Sequence, residues 1–393
     1  MRIRLSPRVI GARSAVCTHM ADRRPVRAQQ TRRRAGAAIV GWKAIMQNDD
    51  APFHIRPIRD RDVADEPALI AAAFAAGPYG HLPVSAERRA LERDVSGRAA
   101  SGAVLVAAAD GVDGDGDRLL GTASVLRADS PYSRVAVGDE AEVRLVAVDP
   151  DAQGTGLGQA LMRASMETAL GWGADALLLD TGELNTRARA LYARLGFDRL
   201  PERDERFGEV VGFAYRFGLQ ERDDIRVRLM RPDEVEAVTE LVEGAYASDF
   251  ELSDAYRADI VAVAERARDH QVWVATDAST GALLGTASTP VAGATISPLA
   301  RAGELDFRFL GVAADARRRG VGEVLVGHVL RLARIRGLER VVLNTGPDML
   351  AAQRLYDRLG FERLHEREFT FERPDGTSFL MIAYGRDVEA TAA

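Results

Sequence analysis

Alternating apolar side chains mark two strands in this chain, and a glycine-rich turn and an amphipathic helix follow each of them. The alternation runs through Glu142–Val148 and recurs through Asp306–Val312. A period of two predicts a strand in each stretch. After the first strand the pattern changes to a helical period, which predicts a helix from about Gln159 to Leu170. The helix after the second strand has one apolar face, formed by Leu325, Val329 and Leu332.

Both stretches belong to a tandem repeat. Matched residues are 164 positions apart, without a gap, over residues 121–197 and 285–361. Upstream, the first copy is longer in two places, so the separation grows to 168 and then to 172, as at Ile55 and Val227. A repeat of this length exceeds the ~20–50 residues of a solenoid unit, so we expect each copy to be a domain with its own core.

The repeat fixes the expected domain boundaries. We place the first domain at about residues 53–219 and the second at about 225–388, with a short charged linker at 220–224. Residues 1–52 are predicted to be a disordered Arg-rich tail, and residues 389–393 a short second tail. Two domains suit a chain of 393 residues, and each is long enough to bury a core.

The amino-terminal tail differs from the rest in charge. Met1–Ile45 holds eleven basic residues and a single acid, Asp22. An Arg-rich, acid-poor start is typical of a transit peptide. The polar residues after Met46 are equally typical of a true start, so an upstream mis-start or a disordered extension is the alternative interpretation.

Composition excludes several kinds of protein. Beyond the tail the chain is clearly acidic, which argues against a nucleic-acid surface. Cys17, the only cysteine, lies in the tail, so neither domain has a disulfide, a cysteine zinc site or a cysteine nucleophile. The six histidines show no metal-ligand spacing, and we expect no metal. No apolar run approaches the ~20 residues of a membrane span, so we expect a cytoplasmic protein without membrane contact.

The glycine loops Gln153–Gly158 and Arg317–Gly322 carry the first candidate chemistry. Converging backbone N–H groups and a helix amino terminus favour a phosphate or pyrophosphate ligand, whereas a plain helix cap is the alternative. A dinucleotide fingerprint lacks its third glycine, and neither domain has the lysine of a P-loop. Asp180 imitates the ribose-binding acid of dinucleotide sites, but its counterpart in the second copy is Asn344.

The spacing of the loops resembles a known family. Gln153 or Arg317, followed by two glycines in the order [QR]-x-x-G-x-G, is similar to the loop with which the GNAT superfamily of N-acetyltransferases holds the pyrophosphate of acetyl-CoA. Residues 185–197 resemble the family's second CoA segment, N-x-x-A-x-x-L-Y followed by G-F. The second copy keeps this segment but has Met349 in place of Asn185. The resemblance covers nearly all of residues 53–388.

The resemblance implies an α/β (α+β) fold of two tandem domains, each a mixed, mostly antiparallel twisted sheet flanked by helices. A bulge splays each sheet and turns backbone N–H and C=O groups toward the pantetheine arm. Loss of the amide at Met349 removes one polar contact, which Arg317–Arg319 offset by attracting phosphates. The residues that the resemblance assigns to acetyl-CoA, a co-substrate, are Val146, Ala147, Val148, Gln153, Gly154, Thr155, Gly156, Leu157, Gly158, Asn185, Leu310, Gly311, Val312, Arg317, Arg318, Arg319, Gly320, Val321 and Gly322.

The resemblance also suggests catalytic groups. Acetyl transfer to an amine needs a base for the ammonium proton and an acid for the leaving thiolate. Tyr192 and Tyr356 correspond to the family's tyrosine beside the cofactor sulfur and are the predicted general acids. A merely packed tyrosine is the alternative interpretation of each.

Glu142 and Asp306 are the predicted general bases, acting directly or through water, because the family often has a glutamate on this strand. Period-two geometry places Arg144 and Arg308 on the same strand face, so an exposed ion pair is the alternative. Glu140 and Asp139 are alternative candidates for the general base.

The predicted function is that of an acetyl-CoA-dependent N-acetyltransferase, an acyltransferase transferring groups other than aminoacyl groups. The acetyl group passes to a primary amine of a small molecule or peptide by direct attack on the thioester. One alternative is a non-catalytic acyl-CoA-binding or pairing module in one or both domains. Another is a mycothiol-synthase-like tandem acetyltransferase. We expect a monomer with pseudo-dimeric domains or a homodimer.

Overall fold

The computed structural model describes residues 53–109, 117–248, 253–372 and 378–389 of the chain. The predicted amino-terminal tail, residues 1–52, and residues 390–393 of the second tail lie outside the described residues.

The first domain has an eight-stranded sheet with five helices in its described residues. Its strands are β1 His54–Pro57, β2 Gly102–Ala109, β3 Arg118–Arg127, β4 Ala141–Val148, β5 Ala176–Gly182, β6 Asp198–Arg199, β7 Glu205–Phe207 and β8 Val210–Gly218. Its helices are α1 Glu66–Ala75, α2 Ala86–Arg93, α3 Val95–Ala100, α4 Leu157–Trp172 and α5 Thr186–Arg194.

Strands follow the order β1-β2-β3-β4-β5-β8-β6, and β7 pairs with β8. All of these pairings are antiparallel except β4 with β5, which is parallel. The mixed, mostly antiparallel sheet is therefore confirmed for this domain.

The second domain repeats the order of elements. Its strands are β9 Ile225–Leu229, β10 His270–Asp277, β11 Leu283–Pro290, β12 Glu304–Asp306, β13 Arg308–Val312, β14 Arg340–Thr345, β15 Glu362–Arg363, β16 Phe369–Glu372 and β17 Ser378–Asp387. Its helices are α6 Val235–Ala247, α7 Asp254–Val261, α8 Val263–Asp269, α9 Val321–Arg336 and α10 Leu350–Arg358.

One feature of this domain differs from the prediction. The stretch Asp306–Val312, predicted as a single strand, is interrupted at Phe307, between β12 and β13. Two sheets result: β13-β11-β10-β9, and β12-β14-β17-β15 with β16 on β17. Pairing of β12 with β14 is parallel, as in the equivalent place of the first domain.

Helices α4 and α9 occupy the same face of their sheets, and α4 extends past its predicted bounds. The helix predicted from Gln159 to Leu170 begins at Leu157 and ends at Trp172, because Gly156 and Gly173 cap it in the left-handed conformation, with φ of 84° and 76°. The apolar face predicted for the second helix is confirmed, since Leu325, Val329 and Leu332 are fully buried.

The equivalent helices α4 and α9 also pack against each other and join the two domains. At this contact the Arg336 guanidinium donates to both carboxylate oxygens of Glu167, at 2.7 Å and 3.1 Å. Gln271 Nε2 donates to the same carboxylate at 2.8 Å. Glu167 and Arg336 are both buried, so the pair holds the helices in one relative position.

Candidate active site

A break in the sheet of the first domain forms the centre of the site. Strand β4 pairs with β5 through Ala141 and Glu142, and beyond Glu142 the described strands part. Leu145 has a φ of 53°, and the register of β3 with β4 shifts between Thr122 and Ser124. A bulge of this kind bends the strand. It opens a gap between β4 and β5, as expected from the resemblance.

The second domain contains the same break. Phe309, 164 positions after Leu145, has a φ of 57°. The register of β11 with β13 shifts between Thr286 and Ser288, again 164 positions further on. Bulky residues rarely adopt this left-handed conformation. Its presence at both equivalent positions therefore indicates a feature of the fold rather than a local irregularity.

Backbone groups of both strands face the gap. Asp149 N–H donates to Leu120 O at 2.8 Å, so Asp149 bonds toward β3. Hydrogen-bonding direction alternates along an antiparallel pair, which directs the N–H and C=O of Val146 and Val148 away from β3, into the gap. Ala147 lies two residues before Asp149, opposite Thr122, so its backbone groups point toward β3 and not into the gap.

The same alternation holds in the second domain. Ala313 N–H donates to Leu284 O at 2.9 Å. The backbone groups of Leu310 and Val312 therefore face the gap. Gly311 lies two residues before Ala313, opposite Thr286, so its backbone groups point toward β11 and not into the gap. Of the six strand residues predicted to bind cofactor, four thus present backbone groups to the gap.

The first glycine loop is open above its backbone. Gly154 and Gly156 have φ of 85° and 84°, and a Cβ built on either would meet nothing within 4 Å. Gly156 caps α4 without a side-chain hydrogen bond, and Leu157 and Gly158 form the first turn. At the edge of the loop Gln153 Oε1 accepts from Arg187 Nη1 at 2.9 Å. The free N–H groups and the clear space above them suit an anionic group such as a pyrophosphate.

The second loop has a different environment. Arg318 has a φ of 66° at the position of Gly154, so a non-glycine residue adopts the left-handed turn. Arg222 of the linker donates to Arg319 O at 2.9 Å. A Cβ on Gly320 would lie 2.9 Å from the Arg222 guanidinium. A linker arginine therefore lies directly over the amino terminus of α9, which starts at Val321 and Gly322.

The three arginines predicted to attract phosphates have separate surroundings. Arg317 Nη2 donates to Ser248 Oγ at 2.7 Å, toward α6. Arg319 pairs with Asp277 at 2.8 Å. Arg318 is exposed beside the loop. Arg222, which the sequence did not predict, lies over the loop and is paired with Asp224 at 2.6 Å.

The second CoA segment differs between the domains as the sequence indicates. Asn185 caps α5, and its Nδ2 donates to Thr181 Oγ1 at 3.2 Å. Met349 occupies this place before α10. Here Gln353 Nε2 donates to the carbonyls of Gly346 and Pro347, each at 3.0 Å. A different amide thus fixes the loop before α10.

Tyr192 and Tyr356 are buried in equivalent aromatic clusters. The ring of Tyr192 lies 5.7 Å from that of Tyr215, and the ring of Tyr356 lies 5.8 Å from that of Tyr384. Burial raises the pKa of both phenols, and the Asp180 carboxylate raises the pKa of Tyr192 further. Both are therefore neutral hydroxyl donors near neutral pH.

The predicted bases are enclosed. Glu142 is fully buried, and its Oε2 accepts from Ser133 Oγ at 2.8 Å and from three backbone N–H groups, those of Arg134, Val135 and Ala136. The ion pair with Arg144 exists, at 3.4 Å from Glu142 Oε1, but the Glu142 side chain is buried, so the alternative of an exposed pair is wrong.

Asp306 repeats this arrangement at a distance of 164 positions. Its Oδ2 accepts from Ser297 Oγ at 2.6 Å, and its Oδ1 from Ile296 N–H at 3.1 Å. Burial raises the pKa of Asp306. In both domains a serine nine residues earlier binds the carboxylate, so each acid holds the preceding loop against the sheet.

The further candidate bases are engaged elsewhere. Glu140 pairs with Arg203, and its counterpart Glu304 pairs with Arg367 at 2.7 Å. Asp139 pairs with Arg226 of the second domain at 2.8 Å. These pairs connect the loop before β4, or before β12, to neighbouring segments.

Sequence reasoning missed the position of Asp180. This carboxylate lies on β5 beyond the point where β4 and β5 part, and it forms an ion pair with Arg134. Glu205 lies 3.7 Å from the same guanidinium. In the sequence, this position is recognisable as an acid that directly follows the four apolar residues 176–179, all of which are buried in the structure.

The described residues hold neither a cluster of metal-ligand side chains nor a membrane-spanning helix. Within the described residues, no group of three or more His, Cys, Asp or Glu side chains is arranged to hold a metal ion. His328 is buried and packs edge-on against Trp273, at 4.3 Å between ring centroids. Among the helices described, none is long and apolar enough to cross a membrane.

Known proteins match both halves of the chain. The model of the acetyltransferase (GNAT) family matches residues 72–197 and again residues 235–361. N-acetyltransferase family 8 member 3 of Rattus norvegicus is 36% identical over 74 residues, which are 19% of this chain and 32% of the relative. The mycothiol acetyltransferase of Geodermatophilus obscurus is 42% identical over 91 residues, 22% of this chain and 27% of the relative.

These alignments span about a third of the length of the curated relatives. A solved structure, the acetyltransferase of the GNAT family from Staphylococcus aureus Mu50, aligns at 14% identity with a TM-score of 0.33, over 42% of this chain and 99% of its own. The two family matches together cover more than half of the sequence, one in each domain. The chain therefore belongs to the acetyltransferase (GNAT) family.

Proposed function

We propose that this protein is an acetyl-CoA-dependent N-acetyltransferase with a catalytic cleft in each domain. The observation that carries the proposal is the repeated juxtaposition of a gap in the sheet with an open helix amino terminus. In the first domain the gap follows Glu142 and the loop ends at Gly156. CoA needs both features at once, because its pantetheine arm requires the gap in the sheet and its pyrophosphate requires the open helix amino terminus.

The cofactor would lie along the loop and the strand. N–H groups of Gln153–Gly158 and the start of α4 would bind the pyrophosphate. The backbone groups of Val146 and Val148 would hydrogen-bond the pantetheine arm, as an added strand does at a sheet edge. In the second domain Arg317–Gly322 and the backbone of Leu310 and Val312 take these places, with Arg222 as an added cation.

Transfer would follow direct attack of a neutral amine on the thioester carbonyl. The new C–N bond forms, the C–S bond breaks, and the amine releases one proton. Tyr192 in the first cleft and Tyr356 in the second would donate a proton or hydrogen bond to the leaving thiolate. Their raised pKa keeps both phenols protonated, as a donor requires.

The amine proton would leave through water. Glu142 and Asp306 do not contact solvent, so neither can take a proton directly from an acceptor in the cleft. Glu142 Oε1 lies 3.4 Å from Arg144 Nε but has no hydrogen-bond partner among the described residues, so it is the carboxylate atom left to bind a water. A water between this atom and the amine would complete the relay. The base role of both acids stays a prediction.

A second candidate concerns the second domain. Arg222 over Gly320, the strained Arg318 and the substitution Met349 all distinguish its cofactor loop from the first. A non-catalytic acyl-CoA-binding module there would keep the loop but lose turnover. A mycothiol-synthase-like reaction remains a candidate for the whole chain, supported by the alignments to mycothiol acetyltransferases of several bacteria.

Turnover of acetyl-CoA tests the proposal. The full chain would be mixed with acetyl-CoA and a panel of primary amines, and free CoA thiol would be followed together with the mass of each amine. We expect a mass gain of one acetyl group for at least one amine, lost in the double variant Tyr192→Phe/Tyr356→Phe. Binding of acetyl-CoA without turnover of any amine would favour the binding module.

A further inference from the structure

The two clefts differ in charge at equivalent positions. Each gap opens on the face of the sheet opposite α4 or α9, which we call the front face; it carries α1–α3 in the first domain and α6–α8 in the second. On the front face of the first domain, carboxylates and arginines are paired. Asp180 and Glu205 both contact Arg134. Glu66 binds Arg98, and Glu92 binds Arg88, with closest distances of 2.8 Å and 2.7 Å.

The second domain lacks all four carboxylates. Their positions hold Asn344, Phe369, Val238 and Ile260. Two of these three arginines are lost as well, since Pro298 replaces Arg134 and Tyr256 replaces Arg88, whereas Arg98 and the nearby Arg144 are kept. These positions therefore lose four carboxylates and two arginines, although α6–α8 carry other acids, among them Asp259 of α7 and Glu243 of α6, which pairs with Arg257.

The two arginines that the second domain keeps are Arg308 and Arg266. Arg308 is the counterpart of Arg144, whose guanidinium donates to Tyr132 O and lies 3.4 Å from Glu142. Arg308 is half-buried and stacks at 4.8 Å from the ring of Phe309. Among the described residues it forms no ion pair, so its charge is available to a ligand.

Arg266 adds a buried charge behind Arg308. The Arg266 guanidinium lies 3.9 Å from the centroid of the Phe309 ring, the same ring that Arg308 contacts. Its N–H groups donate to Asp259 O, Ile260 O and Ser288 Oγ, all neutral acceptors. Burial lowers the pKa of Arg266 to about 10, so it is charged at neutral pH. No carboxylate replaces Glu66 at Val238, and among the described residues Arg266 forms no ion pair, although the Asp259 carboxylate raises its pKa.

Two tyrosines complete the cluster. Tyr246 of α6 and Tyr256 of α7 meet edge to face, with ring centroids 6.0 Å apart. They replace Phe74 and Arg88 of the first domain, which form a cation–π pair at 4.5 Å. Burial raises the pKa of Tyr246 and of Tyr256, and the nearby charge of Arg308 acts in the opposite direction on both. Both hydroxyls are therefore neutral donors, and both rings pack against the cluster that contains Phe309, the ring on which Arg308 stacks.

The cluster lies beside the proposed general acid. The ring of Phe307, which precedes Arg308 in the chain, lies 6.3 Å from the ring of Tyr356. A ligand held by Arg308 would thus have its neighbouring atoms at the gap between the sheets. This is the place where an acceptor amine must meet the thioester.

We propose that the front cleft of the second domain selects an acceptor with an anionic group, a carboxylate or a phosphate, close to its amine. Arg308 pairs with the anion, and Tyr246 and Tyr256 donate hydrogen bonds to it. The inference rests on the proposed acetyl transfer. The first domain offers Arg134 and Asp180 as a closed pair instead and does not share this selectivity.

Matched amines test the proposal. Glycine and glycinamide differ in a carboxylate, and O-phosphoethanolamine and ethanolamine differ in a phosphate. The full chain with Gly156→Glu, which blocks the first cofactor loop, would be titrated with each probe in the presence of saturating CoA by saturation-transfer difference NMR. We expect at least one anionic probe to bind about tenfold more tightly than its neutral partner. The pair that shows the preference identifies carboxylate or phosphate.

Variants locate the preference. Arg308→Gln is expected to abolish it, and the equivalent Arg144→Gln in the first domain is expected to leave it unchanged. Tyr256→Phe removes one hydroxyl and keeps the ring, so it tests the site without unfolding it; loss of one hydrogen bond lowers anion affinity by about fivefold.

Several results would overturn the inference. These are equal binding of anionic and neutral probes, a preference that survives Arg308→Gln, and no binding of any probe while CoA still binds to the second domain. If CoA itself fails to bind there, the proposed function fails for that domain, and the inference falls with it. The CoA titration separates this last result from the others.

Discussion

Leu145 and Phe309 share a left-handed backbone conformation, with φ of 53° and 57°, at positions 164 residues apart. The left-handed region costs an ordinary residue roughly 1–2 kcal/mol. Both copies have a bulky residue in this unfavourable conformation at the position where the strands part. Strain that recurs beside a candidate site is best explained by the site, because the bulge turns backbone groups into the gap.

Removal of the Tyr192 hydroxyl is predicted to slow chemistry without weakening cofactor binding. In Tyr192→Phe the ring keeps its packing at 5.7 Å from Tyr215, but the leaving thiolate loses its donor. We expect kcat at the first site to fall by about 10²-fold. Single-turnover acetylation of an amine that the chain accepts measures the rate.

The matched control is Tyr215→Phe. Its hydroxyl accepts from Arg189 Nε at 3.3 Å and belongs to the same aromatic cluster. We expect a change in kcat of no more than a few fold. Equal effects of the two substitutions would show that Tyr192 has only a packing role.

Arg318→Gly is predicted to stabilise the second domain and to weaken its affinity for CoA. Arg318 has a φ of 66°, so glycine relieves strain of about 1 kcal/mol. The same substitution removes an exposed cation beside the cofactor loop, so CoA affinity should fall several-fold, and more at low salt. Urea unfolding and calorimetric titration measure the two effects.

Gly154→Arg, at the equivalent place in the first domain, is the converse test. Here φ is 85°, and we expect a loss of stability of similar size. An Arg318→Gly variant that is less stable than the parent would contradict the assignment of strain.

His328 is predicted to make stability depend on pH. Burial lowers the pKa of His328 to about 3, whereas an unfolded histidine titrates near 6.5. The unfolded chain therefore binds the proton more readily between these values. The stability contribution is present above pH 6.5 and is lost as pH falls toward 3, by up to about 1.4 kcal/mol per pH unit.

The variant His328→Leu should flatten this dependence. Free energies of unfolding in urea at pH 7 and pH 5 would be compared with those of the parent. His81 is exposed, so His81→Leu serves as the control and should leave the slope unchanged. A slope unaffected by His328→Leu would mean that other groups cause the pH dependence.

Removing one partner of the buried Glu167–Arg336 pair is predicted to lower the free energy of unfolding strongly, whereas replacing both partners by apolar residues is predicted to lower it little. Glu167→Gln leaves the Arg336 guanidinium buried without a carboxylate, and we expect a loss of about 3–5 kcal/mol. The double variant Glu167→Leu/Arg336→Met removes both charges and should recover most of that loss.

An exposed pair provides the comparison. Arg358 and Glu323 lie 2.8 Å apart with exposed side chains, so Glu323→Gln should cost less than about 1 kcal/mol. Denaturant unfolding measures all three variants. A double variant that is no more stable than Glu167→Gln would show that the charges themselves hold α4 against α9.

The sequence predicted the elements with short-range signals and missed those that depend on tertiary contacts. The strand, loop and helix around Gly156 follow from periodicity and glycine spacing, and the structure has them. The interruption at Phe307 was not predicted, since apolar alternation continues through it. The domain boundaries stay predictions, although β8 ends at Gly218 and β9 begins at Ile225.

The candidate site shows the same division. The motif spacing located the glycine loops, but not Arg222, which reaches Arg319 from 97 positions away. Nor does a sequence pattern show that the donors to Glu142 come from the loop at 133–136. Such partners depend on how the loop folds back, which the residues near Glu142 do not determine.

The number of acetyl-CoA sites tests the central claim most directly. Gly156→Glu and Gly320→Glu each place a carboxylate where a pyrophosphate would bind, at φ of 84° and 81°. Gly138→Glu and Gly281→Glu introduce the same side chain at φ of 59° and 75°, where a Cβ would meet nothing within 4 Å, and control for backbone strain.

Isothermal titration calorimetry of the full chain with acetyl-CoA gives the stoichiometry. We predict two molecules bound per chain, one lost in Gly156→Glu, the other lost in Gly320→Glu, and both kept in the two control variants. A stoichiometry of one would contradict a cofactor site in each domain, and no binding at all would contradict the acetyltransferase assignment of both clefts.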